Sequence, residues 1–112
     1  MTVQMKRGEV WWVKFDPSIG SEIRKTRPAI IISNDAANRN LSRVMVMPLS
    51  SNTARLYPGE VLVSVGGRQS KAMADQIMAA DKARLKTQLG TVSRSEMADV
   101  ETAIKLHFGM AQ

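Results

Sequence analysis

Hydrophobic and polar positions alternate along the stretch GEVWWVKFDP, Gly8 to Pro17. Trp11, Val13 and Phe15 fall on one side and Val10, Trp12 and Lys14 on the other, which is the two-residue period of a β-strand. Asp16-Pro17-Ser18 and Gly20 break that pattern into a loop. Arg27-Pro28 then opens PAIIIS, whose unbroken apolar run predicts a strand buried on both faces. Pro28 is expected at its first position, where a missing N–H costs least. NDAANRNLS, rich in Asn and Asp, reads as a loop. RVMVMPLS is a third strand, with Val44 and Val46 opposite Met45 and Met47. After the irregular SNTARLYPG, EVLVSV forms a fourth strand closed by the Gly66-Gly67 turn. SKAMADQIMAA suits a strand or a helix by composition; it is read as a fifth strand because its neighbours need a partner.

The last third changes period. Asp81 to Leu89 can hold a short helical turn. SRSE, Ser93 to Glu96, is a capping box, in which Ser93 accepts from the backbone three residues on and Glu96 reaches back. Met97, Val100, Ile104 and Phe108 recur at helical spacing as one apolar stripe, and Gly109 ends the helix. These elements predict a mainly β fold, a small antiparallel barrel of five or more strands with a C-terminal α-helix packed on it. The 112 residues are read as one domain, with residues 1–5 frayed.

Composition narrows the chemistry. Aromatic residues make up only 4% of the chain and eight methionines fill part of the gap, which predicts a plastic core. Met45, Met47, Met73 and Met78 are expected in the core or at a subunit contact. The chain has no cysteine, so disulfides, thiolate metal sites and cysteine nucleophiles are excluded. No basic-then-apolar leader opens it, and no apolar run approaches the ~18 residues of a membrane span. A soluble, cytoplasmic protein is expected. The formal charge is +6, from sixteen Lys and Arg against ten Asp and Glu. Such a balance fits a merely basic surface or a polyanion partner, nucleic acid above all.

Elimination goes further. A two-histidine ribonuclease needs an acid and a base near neutrality, and this chain holds a single histidine. His107 is expected as a partly buried residue at a helix end. The scattered acids offer no D-x-D or H-x-H pair for a nuclease metal, and VGGRQSK lacks the length and order of a P-loop. Metal-free chemistry on RNA needs no such equipment, because RNA carries its own nucleophile in the 2′-OH. The protein must align that oxygen and neutralise the charge that develops. Arginine suits the second task through its planar, permanently charged fork. Arg27, before the second strand, and Ser50, at the end of the third, are the candidates, since antiparallel pairing would set those ends side by side. Arg24 and Lys25 read as solvated loop charges or as RNA contacts. Trp11 and Trp12 point opposite ways, so at most one can face a base; packing is the default for both.

The series RGEVWWVKFDP, GSEIRKTRPAIIIS, PLSS and ADQI, followed by a capped helix, resembles the MazF/PemK family of bacterial toxins from about Lys6 to Phe108. The resemblance implies an SH3-like barrel that forms a homodimer. It also implies a metal-independent endoribonuclease, without cofactor, that cuts single-stranded RNA at a short sequence to leave a 2′,3′-cyclic phosphate and a 5′-hydroxyl. A cognate antitoxin protein holds such toxins inactive. On the matching positions, Arg27 is the catalytic arginine, Ser50 the catalytic hydroxyl and Glu22 a group that orients or deprotonates the 2′-OH. Ser21, Arg24, Lys25, Thr26, Ser51, Asn52, Asp75 and Gln76 fall where RNA contacts are expected. Some members use a histidine after the loop glycine and an arginine two residues before the aspartate of the fifth strand. Here those positions are Ser21 and Met73, so that mechanism does not transfer. Rival readings are a non-cleaving toxin that poisons DNA gyrase and a barrel that binds nucleic acid or peptide without catalysis.

Overall fold

The computed structural model describes residues 4–15 and 25–111. In chain order its strands and helices are β1 (Glu9–Lys14), β2 (Thr26–Ile31), α1 (Asp35–Asn40), β3 (Arg43–Ser50), β4 (Glu60–Val65), β5 (Arg68–Met73), β6 (Met78–Asp81), β7 (Leu85–Thr91) and α2 (Arg94–His107). The seven strands form one antiparallel sheet in the order β4-β5-β3-β2-β1-β7, with β6 also paired to β3. The sheet curls until its ends meet. A Cβ added at Gly90 of β7 would lie 3.0 Å from Val65 Cγ1 of β4, so glycine is what lets the two strands approach.

The curled sheet carries a core on each face. Val10, Ile30, Met47, Leu49, Val63, Val65 and Ala72 pack with Val92, Met97 and Val100 on one side. Trp11, Val13, Phe15, Ala29, Ile31, Val44, Val46, Ala80 and Leu85 pack on the other. The apolar run of β2 therefore serves both cores, as its pattern predicts. Met47 and Met73 are buried, whereas Met45 and Met78 remain exposed. The Gly66-Gly67 turn has positive φ at both residues, 62° and 76°, which glycine adopts without strain.

Helix α2 starts as expected. Ser93 Oγ accepts the Glu96 N–H at 3.1 Å, and Glu96 Oε1 accepts the Ser93 N–H at 3.0 Å. Glu96 Oε2 also accepts the Ser64 N–H at 2.6 Å, joining the helix to β4. These backbone donors, Ser93 first and then Ser64, hold the Glu96 carboxyl below its ordinary pKa. At the other end, Gly109 N–H donates to Leu106 O at 3.2 Å and Met110 N–H to Lys105 O at 2.8 Å, a Schellman closure around Gly109 at φ 69°.

Several expectations are corrected. NDAANRNLS is not all loop: Asn34 accepts the Ala37 N–H and starts α1. The fifth strand is split, because β5 and β6 are separated by a 3-10 turn at Ala74–Gln76. The short helical turn expected within Asp81 to Leu89 is present at Lys82–Arg84, but β7, which was not expected, begins at Leu85. Pro28 is the third residue of β2, not its first. Phe108 lies past the last helical turn and is 56% exposed, so the stripe ends at Ile104, which packs half-buried against the core beside the buried Met97, Val100 and Ala103. His107 is exposed as well, its ring edge-on to Phe108. Among the described residues no helix is long and apolar enough to cross a membrane.

Candidate active site

Proline chemistry opens the site. Ile32 N–H donates to Met45 O at 2.9 Å, so the alternation of an antiparallel ladder makes Ile32, Ile30 and Pro28 the residues whose backbone faces β3. Pro28 has no N–H to give Leu49. The β2–β3 register runs from Ile31 with Val46 to Ala29 with Pro48 and stops there. Carried two residues further, it sets Arg27 level with Ser50. The opposite edge of β3 breaks by the same logic. Pro48 presents no donor between the β6 pairs, which end at Val46, and the β5 pairs, which begin at Leu49. There the chain leaves the ladder as the Ala74–Gln76 turn.

Where the β2–β3 ladder stops, a cavity of about 490 Å³ opens. Leu49 and Val65, both buried, lie beneath it with Pro28, Leu89 and the partly exposed Trp12. Lys25, Arg27 and Arg68 bring positive charge to its lining, and Thr26, Ser51 and Ser70 bring hydroxyls. No carboxylate is among the described residues that line it. Lys25 sits at φ 68°, a left-handed conformation uncommon for a residue with a side chain, at the point where the chain enters β2.

The predicted residues distribute as follows. Lys25, Thr26, Arg27 and Ser51 are brought together in the cavity lining. Ser50 closes β3 beside it, paired with Lys71 of β5, and its Oγ accepts the Asn52 N–H at 3.1 Å. Asn52 Oδ1 in turn accepts the Ala54 N–H at 3.4 Å. Asp75 and Gln76 lie in the 3-10 turn, side chain to side chain at 3.4 Å, and do not line this cavity. Ser21, Glu22 and Arg24 fall outside the described residues.

Three contributors were not foreseen. Arg68 follows the Gly66-Gly67 turn and lines the cavity with Ser70; the signal was available, since residues two apart on a strand share a face. Trp12 shares the face of Val10, as the alternation of β1 already implied. Lys71 gave no signal. It is buried, and its Nζ donates to Glu60 Oε1 at 3.2 Å and Arg55 O at 3.1 Å. Glu60 Oε1 also accepts the Tyr57 N–H at 2.8 Å. This buried pair fastens the connection that leaves Ser50.

Chemically, the cavity offers guanidinium forks and hydroxyls around an apolar base, a lining suited to a ligand with an anionic oxygen and a flat ring. Among the described residues no group of three or more His, Cys, Asp or Glu side chains could hold a metal ion.

Comparison with known proteins follows the same direction. The profile of a family described as PemK-like, MazF-like toxin of type II toxin-antitoxin system matches residues 6–108. The chain is 42% identical over 115 aligned positions to "Endoribonuclease MazF9" of Mycobacterium tuberculosis, covering 95% of this chain and 98% of that one. Among solved structures, MazF (Form-I) from Deinococcus radiodurans superposes with a TM-score of 0.86 at 27% identity, over 97% of this chain and 100% of the other. An "Endoribonuclease in complex with its cognate antitoxin from Mycobacterial species" superposes with a TM-score of 0.81 at 26% identity, over 96% and 98%.

Proposed function

This chain belongs to the PemK-like, MazF-like family of type II toxin–antitoxin toxins, and on that premise we propose that it is an endoribonuclease that cuts single-stranded RNA without a metal. The observation that carries the reading is the position of Arg27: beside hydroxyls, in an open cavity, where Pro28 ends the β2–β3 ladder. An RNA phosphate entering there meets the Arg27 fork, which neutralises charge as the neighbouring 2′-OH attacks phosphorus. Ser50 or Ser51 holds a further phosphate oxygen, and Glu22 orients or deprotonates the 2′-OH. The bond from phosphorus to the 5′-oxygen breaks, leaving a 2′,3′-cyclic phosphate and a 5′-hydroxyl. Ser21, Arg24, Lys25, Thr26 and Asn52 track the RNA backbone, and Asp75 and Gln76 meet RNA farther along the groove.

In this reading residues 1–112 act as one toxin domain in the cytoplasm, and mRNA cleavage stops translation and growth. The natural inhibitor is an antitoxin with an acidic, extended segment that lies over Lys25, Arg27 and Arg68. A homodimer supplies the groove that one small barrel lacks for several nucleotides; sedimentation of a fully active monomer would contradict this.

The test is incubation of the purified protein with a long, unstructured RNA in EDTA. Discrete fragments bearing 5′-hydroxyl ends support the enzyme. RNA left intact both in EDTA and with added Mg²⁺ would move the protein to a gyrase poison or a binding barrel.

A further inference from the structure

We infer that the apolar base of the Arg27 cavity takes one unstacked nucleobase beside the scissile phosphate, with Trp12 as its stacking surface and Arg68 as the group that selects it. This rests on the endoribonuclease reading. A phosphate alone has no use for Leu49, Val65 and Leu89 beneath it, whereas a base expelled from its stack needs an apolar surface and a ring to lie against.

Trp12 fits that role because burial has passed it over. Its neighbour Trp11 is 6% exposed and donates Nε1–H to Glu9 Oε1 at 3.0 Å, whereas Trp12 is 37% exposed and lines the cavity. An indole left at a cavity wall is a large apolar area awaiting cover.

Arg68 reaches the cavity from a different element than Arg27 does. The Gly66-Gly67 turn fixes where β5 begins, and Arg68 is paired there with Val65, whose side chain is part of the apolar base. Among the described residues the Arg68 side chain makes no hydrogen bond or ion pair, which leaves its guanidinium donors to a ligand. Two parallel N–H donors match an edge with two neighbouring acceptors, which guanine has in O6 and N7 and cytosine in O2 and N3. Adenine and uracil present no such edge. Backbone contacts from Lys25 and Arg27 position the strand, and Arg68 makes the choice.

The experiment is cleavage of a randomised RNA pool in EDTA, with fragment ends sequenced, by the wild type and by Arg68→Ala, Arg68→Lys, Trp12→Ala and Trp12→Phe. Thermal melting of each variant confirms folding. The wild type is expected to restrict one position beside the cut to guanine or cytosine. Arg68→Ala should relax that position by about tenfold or more, and Arg68→Lys should fail to restore it because the fork is lost. Trp12→Ala should raise KM by about tenfold, with Trp12→Phe retaining most of the affinity. An unchanged preference in Arg68→Ala overturns the inference. So does an even loss across all sequences with a shallower salt dependence, which would make Arg68 a phosphate contact. If the wild type leaves the pool uncut, or Arg27→Ala cuts it equally well, the endoribonuclease reading falls and takes this inference with it. Arg27-dependent cutting with Arg68-independent preference removes the inference alone.

Discussion

Two basic cavities of nearly equal size open on this barrel, and they differ in what lines them. The first, about 520 Å³, lies beside α1 among Lys6, Asp35, Asn38, Arg39 and Lys82. Asp35, Asn38 and Lys82 are already engaged there. Asp35 Oδ1 accepts the Arg7 N–H at 2.8 Å, and the buried Asn38 amide donates to Ser33 O at 2.9 Å and to Asp35 at 3.3 Å. Lys82 Nζ donates to Asn38 O. The Arg7 N–H holds the Asp35 carboxyl below its ordinary pKa; desolvation, next in size, opposes it, and Asn38, Arg39 and Lys6 add to the lowering. The Arg27 cavity, about 490 Å³, holds no carboxylate among its described lining residues, and the Arg68 side chain makes no hydrogen bond or ion pair among the described residues. Size and net charge do not separate the two. What separates them among the described residues is the lining: a carboxylate, Asp35, sits among the cations of the first, whereas hydroxyls and an apolar base accompany those of the second.

Substitutions should separate the cavities by kind of effect. Arg27→Ala is expected to cut cleavage by about a hundred- to a thousandfold, the size seen when one donor to a developing anion is removed, with little change in melting temperature. Single-turnover kinetics on one RNA check this. Next in size, Asn38→Ala should cost about 1–3 kcal/mol of stability, since it strands buried hydrogen-bond partners, while cleavage per folded molecule stays the same. Urea unfolding and cleavage assays on one preparation test both halves; an Asn38 variant of unchanged stability with lost cleavage would dissolve the contrast.

Acid supplies a third test. Asp35 and Glu96 have folded-state pKa values below their unfolded ones. Their stabilisation is thus fully present above the unfolded carboxylate value and disappears as pH falls through the lowered one. Asp35→Asn and Glu96→Gln should each flatten the acid side of the stability profile, and unchanged profiles would refute the assignment. The smallest effect is expected from Lys25→Ala: weaker RNA binding on all sequences, with a log–log salt slope shallower by about 1 and the same cut site. A moved cut site would make Lys25 a base reader.

Much of this was legible in the chain because several levels of pattern agree. The alternation of β1, the apolar run of β2 and the capping box at Ser93 each state one structure, and the pairing of β2 with β3 placed Arg27 level with Ser50. Helix α1 was hidden because six residues rich in Asn carry too little helical signal; it is held by tertiary bonds, from Arg7 to Asp35 and through the buried Asn38. Strand β7 was hidden because only Leu85 of its residues is buried, and bulges in its pairing with β1 blur the alternation. The split between β5 and β6 depends on Pro48, a residue on a different strand, so no local reading of SKAMADQIMAA could find it. Arg68 was passed over because a hairpin arginine belongs to no motif; its meaning comes from what lies across the curl of the sheet.

The central claim is that RNA phosphate meets Arg27 in the cavity where the β2–β3 ladder ends. An NMR titration with a 2′-deoxy-blocked, uncleavable RNA tests it most directly, by following the arginine side-chain N–H signals and the two indole N–H signals. The account predicts that Arg27, Arg68 and Trp12 shift together at one affinity, while Trp11 and Arg39 hold still. Shifts centred on Arg39 and the α1 cavity, with Arg27 unmoved, would contradict it.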